Sequence, residues 1–214
     1  MRICVIGNSH AAGLKRAWDG LAAEFPGVKL VFFVAPGKRI ADLTRQGGRL
    51  IPGNDDLRAR LEFSSGGAGQ VEMAEFRAFL LYGLVGLPQI DRRLSSALRE
   101  IILSRAAKRM AGLPLVRMLR GARPLFLGTA PVPVPENPAC AAQNLPSAQL
   151  LAEITRRLPK NAPRLLAQPA ETLSDGISTD ARYLHGPGDQ GHMNLGYNTL
   201  VLRQHLPALT ETAP

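Results

Sequence analysis

The sequence predicts an α/β fold: a parallel sheet of five short strands, covered by helices on both faces and interrupted by one small hairpin insertion. Two observations predict it. Short runs of apolar and β-branched residues recur along the chain, each stopped by Gly, Pro or a polar turn. Between them lie stretches whose apolar residues recur at helical spacing, and strands that alternate with helices pair in parallel. In such a sheet the ligand site lies beyond the carboxyl ends of the strands, so the residues just after each strand carry the chemical information.

Residues 2–6 (RICVI) form the first strand, stopped by Gly7. Leu14, Trp18, Leu21, Ala22 and Phe25 then mark a helix that stops at Pro26-Gly27. The second strand, 28–34, ends at Pro36-Gly37, and 40–45 follows as a short helix. Two short runs, 59–63 and 70–73, flank the segment SSGGAG and read as a hairpin insertion over about 57–73. The third strand is 76–82. A long basic helical region spans 90–120, broken near Gly112 and Pro114. The fourth strand, 124–127, enters a Pro-rich loop, Ser147 opens a helix to Arg157, and 164–167 is a brief fifth strand. The last helix runs from Asn194 to His205. No internal repeat or linker divides the chain, so one domain over 1–214 is expected.

At 214 residues, 45% hydrophobic and 20% charged, the chain is long and apolar enough to bury a core without staples. Its longest apolar run, AFLLYGLVGLP at 78–88, falls short of a membrane span and holds two glycines. The opening MRICVIGNSH has too short an apolar core for a signal peptide, and a cytoplasmic protein is expected. Cys4 lies in an apolar strand and Cys140 in a Pro/Ala-rich loop, with no spacing that suggests a disulfide or a metal site. The net charge of +9 concentrates in part between Asp91 and Arg123, where Arg92, Arg93, Arg99, Arg105, Lys108, Arg109, Arg117, Arg120 and Arg123 face only Asp91 and Glu100. Such a surface suits an acidic polymer, an anionic membrane or nucleic acid, or is a solvated helix face. No specific nucleic-acid motif accompanies it.

The first strand delivers Gly7-Asn8-Ser9-His10 to the start of a helix. A serine there is exposed on a tight turn, with its own N–H pointing out of the helix N-terminus where a negative oxygen is favoured. It can equally be a helix cap. Near the other end, Asp189 precedes His192 by three residues, just ahead of the last helix. In a bent loop that spacing lets the carboxylate hold Nδ1–H and leaves Nε2 free, the orientation a general base needs to deprotonate a serine. Asn194 is then a suitable cap for the helix behind.

GNSH after the first strand resembles the first block of the SGNH (GDSL-type) hydrolases, which usually carries G-D-S, and DQGHMNLGY resembles their last block, D-x-x-H followed by a helix. The resemblance implies a flavodoxin-like three-layer α/β/α sandwich and hydrolysis of esters, often acetyl or acyl groups on sugars, without metal or organic cofactor. It implies Ser9 as nucleophile, His192 as general base and Asp189 as its orienting partner. Asn8 stands where the family usually has Asp. The family's two other blocks supply oxyanion donors: a Gly after the second strand and an Asn in a G-x-N-D turn after the third. Gly37 falls at the first. At the second the chain has Val85, which has no side-chain donor. Gly53-Asn54-Asp55 resembles the missing turn but precedes the expected hairpin, and is read as a decoy. Asn8 and Asn137 are the remaining candidates for oxyanion or substrate contact.

Lys38 and Arg39 follow Gly37 and either bind an anionic part of the substrate or are solvated turn charges. His10 is read as a hydrogen-bonded structural histidine, His185 as a competitor to His192 that lacks the spacing, and Trp18, Phe25 and Tyr82 as core; Glu136 is a surface carboxylate. The leading expectation is a serine esterase acting on an O-acyl, in the first place O-acetyl, ester of a carbohydrate or small metabolite. The alternatives are a non-catalytic carbohydrate- or anion-binding module, an acyltransferase with the same triad, and association with nucleic acid or membrane through 91–123.

Overall fold

Apolar runs whose alternate residues face opposite sides need cover on both, and this chain provides it. The computed structural model describes residues 1–133, 142–186, 189 and 191–211. Five parallel strands make the central sheet: β1 (Arg2–Gly7), β2 (Lys29–Val34), β6 (Ala78–Tyr82), β7 (Leu125–Gly128) and β8 (Arg164–Leu166), in the order β2-β1-β6-β7-β8. That is the doubly wound, flavodoxin-like order, with the connection reversing direction beside β1. The register aligns Val34, Gly7, Tyr82, Gly128 and Leu166 in one row across the sheet, so the loops that follow share one rim.

Each strand sends successive residues to opposite layers. Ile3 and Val5, Leu30 and Phe32, and Leu80 pack with α1 (Ser9–Leu21) and the last helix, α6 (Leu195–Thr210). Cys4 and Ile6, Val31 and Phe33, and Phe79 and Leu81 pack with α2 (Asp55–Ser65), α3 (Ser96–Ala111), α4 (Pro114–Leu119) and α5 (Ser147–Arg157). Phe79 and Leu81 are wholly buried, and burial of a side chain of this size contributes about 1.5–3 kcal/mol. Cys4 is a buried thiol whose ionisation burial pushes well up, as an inert core residue requires.

The small antiparallel sheet is present but displaced from its expected place. It consists of β3 (Leu43–Gln46) and β4 (Arg49–Pro52), with β5 (Val71–Glu72) added to β4. Residues 59–63, expected as a strand, lie inside α2. Asn54 accepts from Leu57 N at 2.9 Å, Asp55 and Asp56 occupy the favourable first turn, and Gly66 in the left-handed conformation ends the helix. Gly53-Asn54-Asp55 is thus a helix start, in keeping with its reading as a decoy. Residues 39–42 form a single 3-10 turn that runs into β3 rather than a helix to 45. The basic helical region begins only at Ser96, because 90–92 pair with 143–145 instead. No helix among the described residues is long and apolar enough to cross a membrane.

Candidate active site

The turn after β1 is organised by Asn8. Its Oδ1 accepts from His10 N at 3.0 Å and caps α1, while its Nδ2 donates to Gly83 O at 2.7 Å beyond β6. A carboxylate could do the first of these and not the second. This chain therefore needs the amide at a position where the resembled family usually has Asp. Gly83 has φ +76°, and a Cβ there would lie 2.6 Å from Asn8 Oδ1 and 2.8 Å from His10 Cβ, so only glycine lets the two loops meet. With the cap supplied by Asn8, Ser9 is the first helical residue. Neither its hydroxyl nor its N–H is engaged in a hydrogen bond among the described residues.

The second half of the site is a loop pinched at its base. Leu184 pairs with Met193, His185 N donates to His192 O at 2.9 Å, and Asn194 N donates to Tyr183 O at 2.7 Å. Asn194 Oδ1 then caps α6 by accepting from Tyr197 N at 3.0 Å. Within the loop the Asp189 carboxylate accepts from His192 N at 2.9 Å and Gly191 N at 3.1 Å, and both its oxygens lie 3.1 Å from His192 Nδ1. The bond from His192 N, with that from Gly191 N and the imidazole beside it, holds the Asp189 carboxyl below its ordinary ionisation range. The D-x-x-H spacing places the carboxylate on Nδ1, and Nε2 makes no hydrogen bond among the described residues.

Both halves line one cavity of about 500 Å³, whose walls include Ser9, His10, Arg16, Asp189, His192 and Asn198, with Tyr82 also lining it. The Ser9 and His192 side chains share this cavity but are not hydrogen-bonded to each other, a contact that often closes only in a substrate complex. Asn198 on α6 is buried, its Nδ2 spent on Met193 O and Asn194 O. Tyr82 is wholly buried with the Tyr197 hydroxyl as its partner, and burial pushes its ionisation well up. Among the described residues no cluster of His, Cys, Asp and Glu is placed to hold a metal ion.

His10 departs from expectation. Its ring makes no hydrogen bond among the described residues and stands 5.8 Å from the His192 ring, centroid to centroid, inside the cavity. Burial, reinforced by the neighbouring His192, lowers its pKa to about 4, so it is neutral at pH 7. Arg16 went unremarked in the sequence, although it stands seven residues after Ser9 and so on the same helix face.

Other expected site residues lie elsewhere. Gly37 and Lys38 border a second cavity, of about 420 Å³, which they share with Asn8, Ile40 and Leu84. Arg39 pairs with Asp56 at 3.1 Å on the surface. The side chain of Asn8 is committed to the cap and to Gly83, which takes it out of oxyanion duty. Val85 is buried in the core, and its carbonyl accepts from Ala130 N. Asn137, with Glu136 and Cys140, lies outside the described residues. No protein-family model and no curated protein matches the chain.

Proposed function

We propose that the chain is a serine esterase of the SGNH type, hydrolysing an O-acyl ester, in the first place an O-acetyl ester, of a carbohydrate or small metabolite. One observation carries this reading. Ser9, released from capping by Asn8, and His192, oriented by Asp189 through Nδ1, face the same cavity. In the reaction Ser9 Oγ adds to the ester carbonyl as its proton passes to His192 Nε2, and Asp189 stabilises the imidazolium that forms. Collapse of the tetrahedral adduct expels the alcohol, which takes the proton from His192 and leaves an acyl-Ser9. Water, deprotonated by His192, adds to that acyl group; the acid departs and Ser9 regains its proton.

The oxyanion needs donors already in place. Ser9 N–H at the start of α1 is one, favoured by the helix dipole. The second in this proposal is His10, neutral at working pH and without a hydrogen bond among the described residues, which takes the part that Val85 cannot play.

The purified protein should release p-nitrophenol from p-nitrophenyl acetate, and Ser9→Ala should reduce this to background while leaving the melting temperature unchanged. A fluorophosphonate should label Ser9. An unchanged rate in Ser9→Ala overturns the assignment. The burial of Val85 and the placement of Gly37 on another cavity favour one other reading, a non-catalytic carbohydrate- or anion-binding module. That module would bind such a ligand yet leave Ser9 unlabelled.

A further inference from the structure

We infer that the Ser9 cavity is built for an ester that carries a negatively charged group, a carboxylate or phosphate, held by Arg16; the inference rests on the proposed ester hydrolysis at Ser9. Ser9, Ala12, Gly13 and Arg16 all line the cavity, and they follow the i, i+3, i+4, i+7 pattern of one helix face. Two turns of α1 therefore make one wall of the cavity, with Ser9 in the first turn and Arg16 two turns on. The rise between them is about 10 Å, and helical side chains lean toward the N-terminus, a geometry that favours a guanidinium turned toward Ser9. Ala12 between them is small and leaves that part of the wall clear for a ligand, whereas Gly13 is where Asn198 of α6 packs against α1.

Arg16 is exposed, and it is its place on the wall of the Ser9 cavity that distinguishes it from other surface cations. Other cations of this layer are paired: Lys15 with Asp19 at 3.1 Å and Arg203 with Glu24 at 2.8 Å. Arg16 makes neither an ion pair nor a hydrogen bond among the described residues. The charged side chain that shares its cavity is Asp189, whose oxygens are taken up by His192 and by two backbone N–H groups. An arginine with its planar fork of donors uncommitted, facing a cleft that also holds the nucleophile, suits bidentate capture of a carboxylate or phosphate. Lys38 and Arg39, the basic residues first considered for this task, do not line this cavity, and Arg39 is already paired.

The charged group can belong to the acyl side or to the alcohol side of the ester, and substrates distinguish the two. Values of kcat/KM are compared for p-nitrophenyl acetate, for p-nitrophenyl hydrogen glutarate (anion on the acyl group) and for 2-acetoxyethyl phosphate against ethyl acetate (anion on the alcohol). One of the anionic esters should exceed its neutral counterpart about tenfold or more. Arg16→Gln should cut that ratio by about tenfold or more, chiefly through KM, and Arg16→Lys should restore part of it. The same ratios in native protein and Arg16→Gln, for both anions, overturn the inference. Should no ester be hydrolysed, calorimetric binding of 2-acetamidoethyl phosphate and of glutaric acid monoanilide decides. Weaker binding of either by Arg16→Gln retains the anion site and rejects the esterase reading, whereas equal binding rejects both.

Discussion

The two ends of the chain that meet in the cavity are held in different ways. The Ser9 turn is locked by the core. Asn8 is bonded to His10 and Gly83, Gly83 leaves no room for a side chain, and the row from Val34 to Leu166 fixes the height of the rim. The Asp189–His192 loop is instead half exposed, tied at its base by the Leu184–Met193 bridge, and ordered inside by one carboxylate that accepts from two backbone N–H groups and an imidazole. Ser9 is thus positioned by the fold as a whole and His192 by a local device. Substitutions of Asn8 or Gly83, which lock the first side, should register in stability, and those of Asp189 or His192 chiefly in turnover.

Asp189→Asn is the strongest way to break that contrast. An amide in place of the carboxylate favours the wrong imidazole tautomer, and turnover should fall by about 10³–10⁴. The melting temperature should stay within about 1 °C, because the residue sits on a half-exposed loop; a large loss of stability would show that the loop is part of the core after all.

Acid comes next. The unfolded chain takes up a proton on His10 near pH 6.5, the folded chain only near pH 4. The unfolded state therefore binds more protons in this window, and stability present above pH 6.5 is lost as the pH falls toward 4, by at most about 3 kcal/mol. Buried His205 has its pKa lowered as well and adds loss of the same sign. Urea midpoints measured from pH 7.5 to 4 should show this slope, and His10→Gln should make it shallower; an unaltered slope would mean that His10 is solvated.

The smallest effect sharpens the account of the turn. Asn8→Asp keeps the helix cap and improves the charge at the helix start, yet sets a carboxylate oxygen against Gly83 O. A net destabilisation of about 1–2 kcal/mol is expected in chemical denaturation. A stabilised variant would show that the tether to Gly83 contributes little.

Much of the fold was legible because alternation of apolar residues is a strong signal. The five strands fall where the apolar runs lie, and Ser147 and Arg157 bound α5 as the spacing suggests. Helix α2 was obscured because only Leu57, Leu61 and Ser64 are buried along it, so it shows little periodicity, and the Gly-rich segment behind it resembles a hairpin turn. Its start was nevertheless written in Asn54, Asp55 and Asp56, the first two of which belong to the Gly53-Asn54-Asp55 turn read as a decoy. At the site, motif spacing found Ser9, Asp189 and His192, and the structure brings these onto one cavity. It could not show that Asn8 would take over the cap, because that depends on Gly83, which is remote in sequence. Arg16 was within reach, since helical period alone sets it on the Ser9 face.

Helix α6 also ties the cover of the sheet to the seating of the site. It crosses α1 where a Cβ on Gly13 would lie 2.7 Å from Asn198 Nδ2, and it covers the face of the sheet carrying Ile3 and Val5 with Val201, Leu202 and Leu206. The same helix, capped by Asn194, seats the loop that carries Asp189 and His192 beside Ser9. Damage to residues 195–210 would therefore bare one side of β1 and unseat His192 in one stroke.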